Sequence, residues 1–236
     1  MIKLLNQDNM EYEPEHYEKP NLIIADYIYE NLDFSWANKY WEYLQEGGVL
    51  IAITDYHSVA EYKVFMEYNF PDSNFVNWLV WKNEWGNHGK KQFAQVHDDV
   101  IIFSKGNKFR FNADKVQVDK VTAKAKGLNP SGRTTKVATS FIADITLTTG
   151  AKERIRKNDN HLVQWQKPKE LLRRIMRPFL IDNDLVLDPF MGSGTAGEVC
   201  ADENWHYIGI EYDKDVFKLA QKRLKPFFND KEYIPF

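Results

Sequence analysis

The 236-residue chain predicts an α/β fold, a doubly wound and mostly parallel sheet with helices on both faces. Three observations carry this. Short continuous apolar runs at 22–25, 49–53 and 185–187 read as strands buried on both sides, the mark of a parallel sheet between helices. Stretches of helical periodicity alternate with them, as crossover helices alternate with parallel strands. The stretch Asp188-Pro-Phe-Met-Gly-Ser-Gly-Thr195 sets a glycine turn between an apolar run and a helix-like run. Strand, tight turn and helix in that order form the phosphate- or nucleoside-binding corner of such sheets.

Taken in order, residues 2–5 are a short strand and 6–20 a polar, acidic connector. The buried strand at 22–25 ends in Asp26. Residues 35–46 fit a helix with Trp36, Tyr40 and Tyr43 or Leu44 on one face, closed by Gly47-Gly48. The strand at 49–54 follows. Ser58 is placed to cap a helix reaching about Asn69, with Pro71 just beyond. Strands at 75–81 and 100–103 complete this half. Periodicity is lost over 105–160, which is rich in Lys, Thr, Gly and Asn and has strand content at 115–121 and 137–147. Pro168 opens a helix with Leu171, Leu172, Ile175 and Phe179 on one stripe. After the glycine turn come a helix, a strand at 207–210, and a last helix over about 213–225 that starts acidic and ends basic, in keeping with the helix dipole. Residues 227–236 read as an extended surface strap.

The chain length suits one α/β domain with an inserted lobe. Three parts are expected: residues 1–104, an insert over 105–160, and residues 161–236 as the second half of the same domain. The net charge of −3 hides an asymmetry, because residues 1–104 carry 7 Lys and Arg against 17 Asp and Glu, whereas 105–160 carry 13 against 5. A basic insert between acidic or neutral flanks is the footprint of a polyanion partner. Arg133, Lys136, Arg154 and Arg156 are its candidate phosphate contacts, of the kind that position without reading sequence. The single cysteine, Cys200, excludes an internal disulfide and reads as a small buried residue. No HExxH or paired spacing occurs among the 6 His, so no metal site is expected. No apolar run approaches 18 residues and no signal peptide is recognisable, which predicts an intracellular, non-membrane protein. Trp78 and Trp81 are expected in the core.

Open parallel sheets bind ligands at the carboxyl ends of their strands. The candidate strand tips here are Asp8, Asp26, Thr54-Asp55, Asp188 and Glu211. Glu211 lies 23 residues past Asp188, at the end of the next strand, where an acid accepts hydrogen bonds from ribose hydroxyls. No P-loop lysine and no GxGxxG accompany the turn.

The stretch from Asp188 to Thr195 resembles the S-adenosylmethionine motif of DNA amino-methyltransferases, the enzymes that methylate adenine N6 or cytosine N4. Asp26-Tyr-Ile-Tyr29 stands where the beta class of that family has Asp-Pro-Pro-Tyr. The order of parts is also that of the beta class: catalytic tetrapeptide, basic insert, cofactor motif. Residues 47–54, 97–105, Gln166-Lys-Pro168 and the segment ending at Asp8 match the flanking parts, so the resemblance covers nearly the whole chain, the insert least. It implies a Rossmann-like, seven-stranded methyltransferase sheet with the insert as target-recognition region. It implies S-adenosyl-L-methionine as cofactor, held by Asp8 at the adenine, by Glu211 at the ribose and by Asp188, Phe190, Gly192, Ser193, Gly194 and Thr195 at the turn, with Lys167 a further contact. It implies Asp26 as acceptor for the target amine and Tyr29 as platform for the base. DNA is the implied partner, adenine N6 the implied target, with a role in restriction-modification, a prokaryotic or viral-host cytoplasm, and a homodimer as a compatible assembly. Tyr27 and Ile28 replace the two prolines, which would have fixed φ and removed N–H donors. Tyr27 either adds a stacking surface or fills the base pocket. Two alternatives therefore stand beside the main reading: a DNA-binding homologue without turnover, and an RNA methyltransferase.

Overall fold

The computed structural model describes residues 1–15, 19–27, 32–83, 90–91, 93–120, 133–147, 156–158, 161–162 and 166–228, with only the backbone described at 156–158 and 161–162. In chain order the elements are β1 (Ile2–Leu5), β2 (Leu22–Asp26), α1 (Ser35–Tyr43), β3 (Val49–Thr54), α2 (Val59–Asn69), β4 (Ser73–Lys82), β5 (His97–Lys105), β6 (Gln117–Asp119), β7 (Thr135–Val137), β8 (Phe141–Ile142), β9 (Arg156–Asn158), β10 (His161–Leu162), α3 (Lys169–Met176), β11 (Leu185–Asp188), α4 (Thr195–Asp202), β12 (His206–Ile210) and α5 (Lys214–Leu224).

The main sheet runs β1-β12-β11-β2-β3-β5-β4-β8. The first five strands are mutually parallel. Strand β5 is antiparallel to both β3 and β4. Seven strands were expected; the eighth, β8, is a two-residue strand from the insert that pairs with β4 through Val80↔Phe141 and Trp81↔Ile142. The Trp81 indole N–H, fully buried, donates to the Ile145 carbonyl at 2.6 Å and fastens this part of the insert to the sheet.

Both faces of the sheet are covered, which is why its central strands could be read as unbroken apolar runs. On one face Leu22, Ile24, Ile51 and Val186 pack with residues of α3, α4 and α5, including Leu171, Ile175, Val199 and Phe217. On the other, Ile23, Leu50, Ala52 and Leu187 pack with Trp36, Tyr40, Tyr62 and Met66 of α1 and α2. Successive strand residues face opposite sides, so the two sets alternate along β2 and β3. The lone cysteine, Cys200, is buried in the first set.

Several boundaries differ from the expected ones. Helix α1 stops at Tyr43, because Leu44 turns extended and the Gln45 N–H goes to the Pro20 carbonyl. Strands β4 and β5 are longer than their apolar runs, since their ladder continues from Ser73↔Lys105 to Lys82↔His97 over polar residues. Ser58 does not cap α2; its hydroxyl donates to Asp55 Oδ1 and pairs with Thr54 Oγ1 instead. Trp78 is not a core residue. It is 37% exposed and its indole N–H donates to Asp99. In the insert β6 and β7 pair antiparallel, from Gln117↔Val137 to Asp119↔Thr135. The strap expected at 227–236 lies outside the described residues from 229 onward.

Candidate functional site

The direction of winding reverses between β11 and β2, which are neighbours in the sheet but belong to opposite halves of the chain. Crevices form at such switch points, outside the carboxyl ends of the strands. Here the opening has a visible cause. Strands β2 and β11 pair only at Leu22↔Val186 and Ile23↔Leu187, so Ile24, Asp26 and Asp188 lie beyond the last shared rung. A cavity of about 530 Å³ fills this gap, lined among others by Asp8, Asp26, Lys167, Asp188, Phe190, Gly192, Ser193, Thr195 and Glu211. Its volume falls in the usual range for small-ligand sites. Residues 26 and 188, far apart in the chain, thus share one wall.

The glycine turn is shaped by its own residues. Gly192 and Gly194 have φ of +54° and +77°, a region that side-chain-bearing residues avoid. The Gly192 N–H donates to Glu211 Oε2 at 2.8 Å, and the Asp213 N–H donates to Oε1 at 2.8 Å. Burial raises the Glu211 carboxyl above its usual value, while these backbone donors pull against that rise. Gly194 does not line the cavity. A Cβ there would sit 3.2 Å from Ala220 and Leu224 of α5, so its smallness serves helix packing and the start of α4. Ser193 and Thr195 do line it, and the Arg223 guanidinium donates to the Thr195 hydroxyl at 2.9 Å from behind.

Asp188 forms the floor. It is buried, accepts from the Tyr207 hydroxyl at 2.8 Å and from the Phe190 N–H at 3.2 Å, and burial pushes its carboxyl up to about 7. The Asp26 and Glu211 carboxylates push the same way. The Phe190 ring closes one side, edge-on to Trp36 at 5.4 Å.

Asp26, at the tip of β2, is gripped by Lys167: the ammonium donates to Oδ1 at 2.9 Å and to Oδ2 at 3.0 Å. Lys167 was expected to contact a cofactor; the structure pairs it with the carboxylate expected to do chemistry. A second acid, Asp98 of β5, stands 3.8 Å from the same ammonium. Asp8 lines the cavity and also caps the short turn Asn9–Glu11 by accepting from the Met10 N–H.

Tyr27 points away from solvent. It is buried among Phe34, Trp36, Tyr62 and Phe190. Its hydroxyl lies beside those of Thr54 and Ser58 but makes no well-formed hydrogen bond among the described residues, and burial raises its pKa. Of the two readings of Tyr27, an exposed stacking surface is excluded for this conformation. Tyr29 and Arg154 lie outside the described residues. Arg133 and Lys136 are exposed and do not line the cavity, and of Arg156 only the backbone, in β9, is described. Among the described residues no cluster of three His, Cys, Asp or Glu side chains could hold a metal ion, and no helix is long and apolar enough to cross a membrane.

The sequence reading missed Asn9, Ile24, Leu172 and Tyr212 as lining residues, and Tyr207, Arg223 and Asp98 as supports. Tyr207 carries no usable signal, since a tyrosine in a buried strand looks like core. Asp98 had one: an acid preceding an apolar run at the site end of a strand.

Strand order, the single reversed strand β5 within the seven long strands, and a crevice at the switch point define a Rossmann-like methyltransferase fold. The chain belongs to the DNA methylase family of N6 and N4 methyltransferases, whose profile matches residues 19–222. Among relatives, it is 29% identical over 242 aligned positions to the type II methyltransferase M.HinfI of Haemophilus influenzae, covering 98% of this chain and 62% of the relative. It is 29% identical over 160 positions to the type II methyltransferase M.HpaI of Haemophilus parainfluenzae, covering 66% of this chain and 46% of the relative. The chain thus spans less than two thirds of the length of either. Solved structures of similar fold include M1.HpyAVI in complex with SAM (TM-score 0.69, 24% identity, 95% of this chain and 100% of the other). Another is TTHA0409 of Thermus thermophilus with S-adenosyl-L-methionine (0.63, 17%, 96% and 94%). A third is the cytosine-N4-specific PvuII DNA methyltransferase (0.61, 16%, 99% and 88%).

Proposed function

We propose that this protein transfers a methyl group from S-adenosyl-L-methionine to an exocyclic amine of DNA, with adenine N6 as the target. The observation that carries the proposal is the meeting of Asp26 with the glycine turn and Glu211 around one cavity. The donor set fits the cofactor's charge. Asp8, Asp26, Asp188, Glu211 and Asp213 line the cavity against one Lys or Arg, Lys167, among the described lining residues. An acidic pocket suits a ligand bearing a sulfonium, an ammonium and only one carboxylate. Support comes also from the family profile and from the type II methyltransferase relatives.

In this reading Glu211 accepts from the ribose hydroxyls with the lone pairs left over from Gly192 and Asp213, and Asp8 faces the adenine. The turn backbone from Phe190 to Ser193 carries the methionine end, with Gly194 shaping the turn from behind, and bound S-adenosylmethionine supplies the electrophilic methyl. The chain's own part in the chemistry falls to Asp26. An amine conjugated to a purine ring is a weak nucleophile, and a carboxylate accepting its N–H favours a pyramidal nitrogen with a free lone pair. Positioning for in-line attack supplies most of the rate. The base reaches Asp26 only by leaving the duplex stack, with Tyr29 as its platform. The basic insert 105–160 acts as target-recognition region, Arg133, Lys136, Arg154 and Arg156 holding phosphates.

Tritiated-methyl transfer from S-adenosylmethionine to mixed-sequence DNA, followed by nucleoside digestion and methylome mapping, tests this. Label in N6-methyladenine is expected, and Asp26→Ala abolishes it. A folded, cofactor-binding protein that labels no DNA refutes the activity; label in N4-methylcytosine refutes the choice of base.

A further inference from the structure

The Asp26–Lys167 pair sets Asp26 between two claims, the lysine ammonium and a target amine. Both Asp26 oxygens face one ammonium, at 2.9 and 3.0 Å. Each oxygen gives a lone pair to the ammonium, and the neighbouring positive charge lowers the hydrogen-bond basicity of the lone pairs that remain for a target amine. Lys167 is nearly inaccessible, its side chain 4% exposed against 29% for Asp26, so solvent does not readily screen the pair. The ammonium is also anchored from a second direction. Asp98 Oδ2 lies 3.8 Å away, and Asn83 Nδ2 donates to Asp98 Oδ1 at 2.9 Å. An ammonium has three donors and can exchange one acceptor for another while the stem stays in place.

Lys167 lines the same cavity as the glycine turn and is its one Lys or Arg among the described lining residues. A methionine carboxylate entering a pocket with five acidic side chains therefore has one cationic side chain to meet, and that side chain is committed to Asp26. We propose that Lys167 is a positioning residue that couples the two halves of the site. It holds Asp26 until the cofactor's carboxylate draws its donors away, and Asp98 keeps the ammonium within reach of both. Asp26 becomes available to the target base only after the cofactor has bound. Because coupling free energies are reciprocal, whatever removes Asp26 as a competitor must strengthen the grip of Lys167 on the cofactor carboxylate.

This rests on the S-adenosylmethionine reading, and binding measurements test it without turnover. S-adenosylhomocysteine keeps the carboxylate but has no sulfonium for Asp26 to attract; 5′-methylthioadenosine lacks the amino-acid end altogether. Calorimetry is run with both on the wild type, Asp26→Asn, Lys167→Met and the double variant. Asp26→Asn is expected to tighten S-adenosylhomocysteine by about fivefold or more while methylthioadenosine stays within about twofold. The gain disappears when residue 167 is Met, and Lys167→Met alone weakens S-adenosylhomocysteine by about tenfold, again sparing methylthioadenosine. An unchanged or weaker affinity in Asp26→Asn, a gain that survives Lys167→Met, or a Lys167→Met protein that binds S-adenosylhomocysteine like the wild type overturns the proposal. A wild type that binds neither nucleoside removes the cofactor reading and this inference with it. Wild-type binding without the Asn gain removes the inference alone.

Discussion

Replacing Asp188 by asparagine tests the electrostatics of the cavity floor. The carboxyl is buried and pushed from the ordinary 3.8 up to about 7, chiefly by loss of solvation, with Tyr207 and Phe190 donating against that trend. The folded state therefore keeps a proton that the unfolded chain releases near 3.8. Stability from this group is fully present below that value, falls as pH rises, and is lost once the pH passes the folded value near 7. The interval from 3.8 to about 7 corresponds to about 4 kcal/mol, of which roughly 2–3 kcal/mol falls between about pH 5 and pH 8. Asparagine cannot ionise. Its oxygen can take the Phe190 N–H, and its amide can donate to the Tyr207 oxygen, so both contacts persist with the second one reversed in direction. Urea unfolding of wild type and Asp188→Asn at several pH values between these limits gives the comparison. The variant gains on the wild type as pH rises, by roughly 2–3 kcal/mol across the window. Glu211 and Asp99, both also raised by burial, remain in both proteins and cancel. Curves that stay parallel refute an Asp188 protonated in the folded state near neutrality.

Three further outcomes are expected. Glu211→Ala leaves the Gly192 and Asp213 N–H groups without their acceptor and removes the proposed ribose contact; S-adenosylhomocysteine binding should weaken by about tenfold or more, and calorimetry showing unchanged affinity contradicts the assignment. Gly194→Ala forces a side chain into φ +77° with its Cβ 3.2 Å from Ala220; a loss of about 1–2 kcal/mol is expected in urea melts, and wild-type stability shows the turn relaxes freely. Trp81→Phe removes the indole donor from the buried Ile145 carbonyl; a cost of about 1–3 kcal/mol is expected, checked by thermal unfolding, with exchange of the amides at 141–142 as a local readout of whether β8 detaches.

Much of the cavity was legible because its parts are backbone devices with local signatures. Glycines at 192 and 194 are needed where φ is positive, an acid ends each of β2, β11 and β12 or follows it directly, and Pro168 immediately precedes α3. Such signals depend on a residue and its immediate neighbours. The central strands β2 and β3 were legible too, since burial on both faces leaves no polar residue in their centres. What failed was whatever depends on a partner distant in sequence or on the way a loop folds back. Ser58 looked like a helix cap until Asp55 and Thr54 took its hydroxyl. Trp78 and Trp81 looked alike, yet three residues along one strand separate a half-exposed ring bonded to Asp99 from a fully buried one.

Lys167 marks the division most sharply. The sequence alone determined that a lysine precedes Pro168, that acids stand at strand tips, that a glycine turn follows an apolar strand, and that the middle of the chain is basic. These are properties of short segments, set by backbone conformation, burial pattern and side-chain charge. Only the tertiary structure decided which charges meet. Strands β2 and β11 lose their shared ladder after two rungs, the gap becomes a cavity, and Lys167, 141 residues from Asp26, closes on its carboxylate. A salt bridge requires two groups within about 4 Å, and no spacing within a segment encodes that distance when the winding of the sheet sets it.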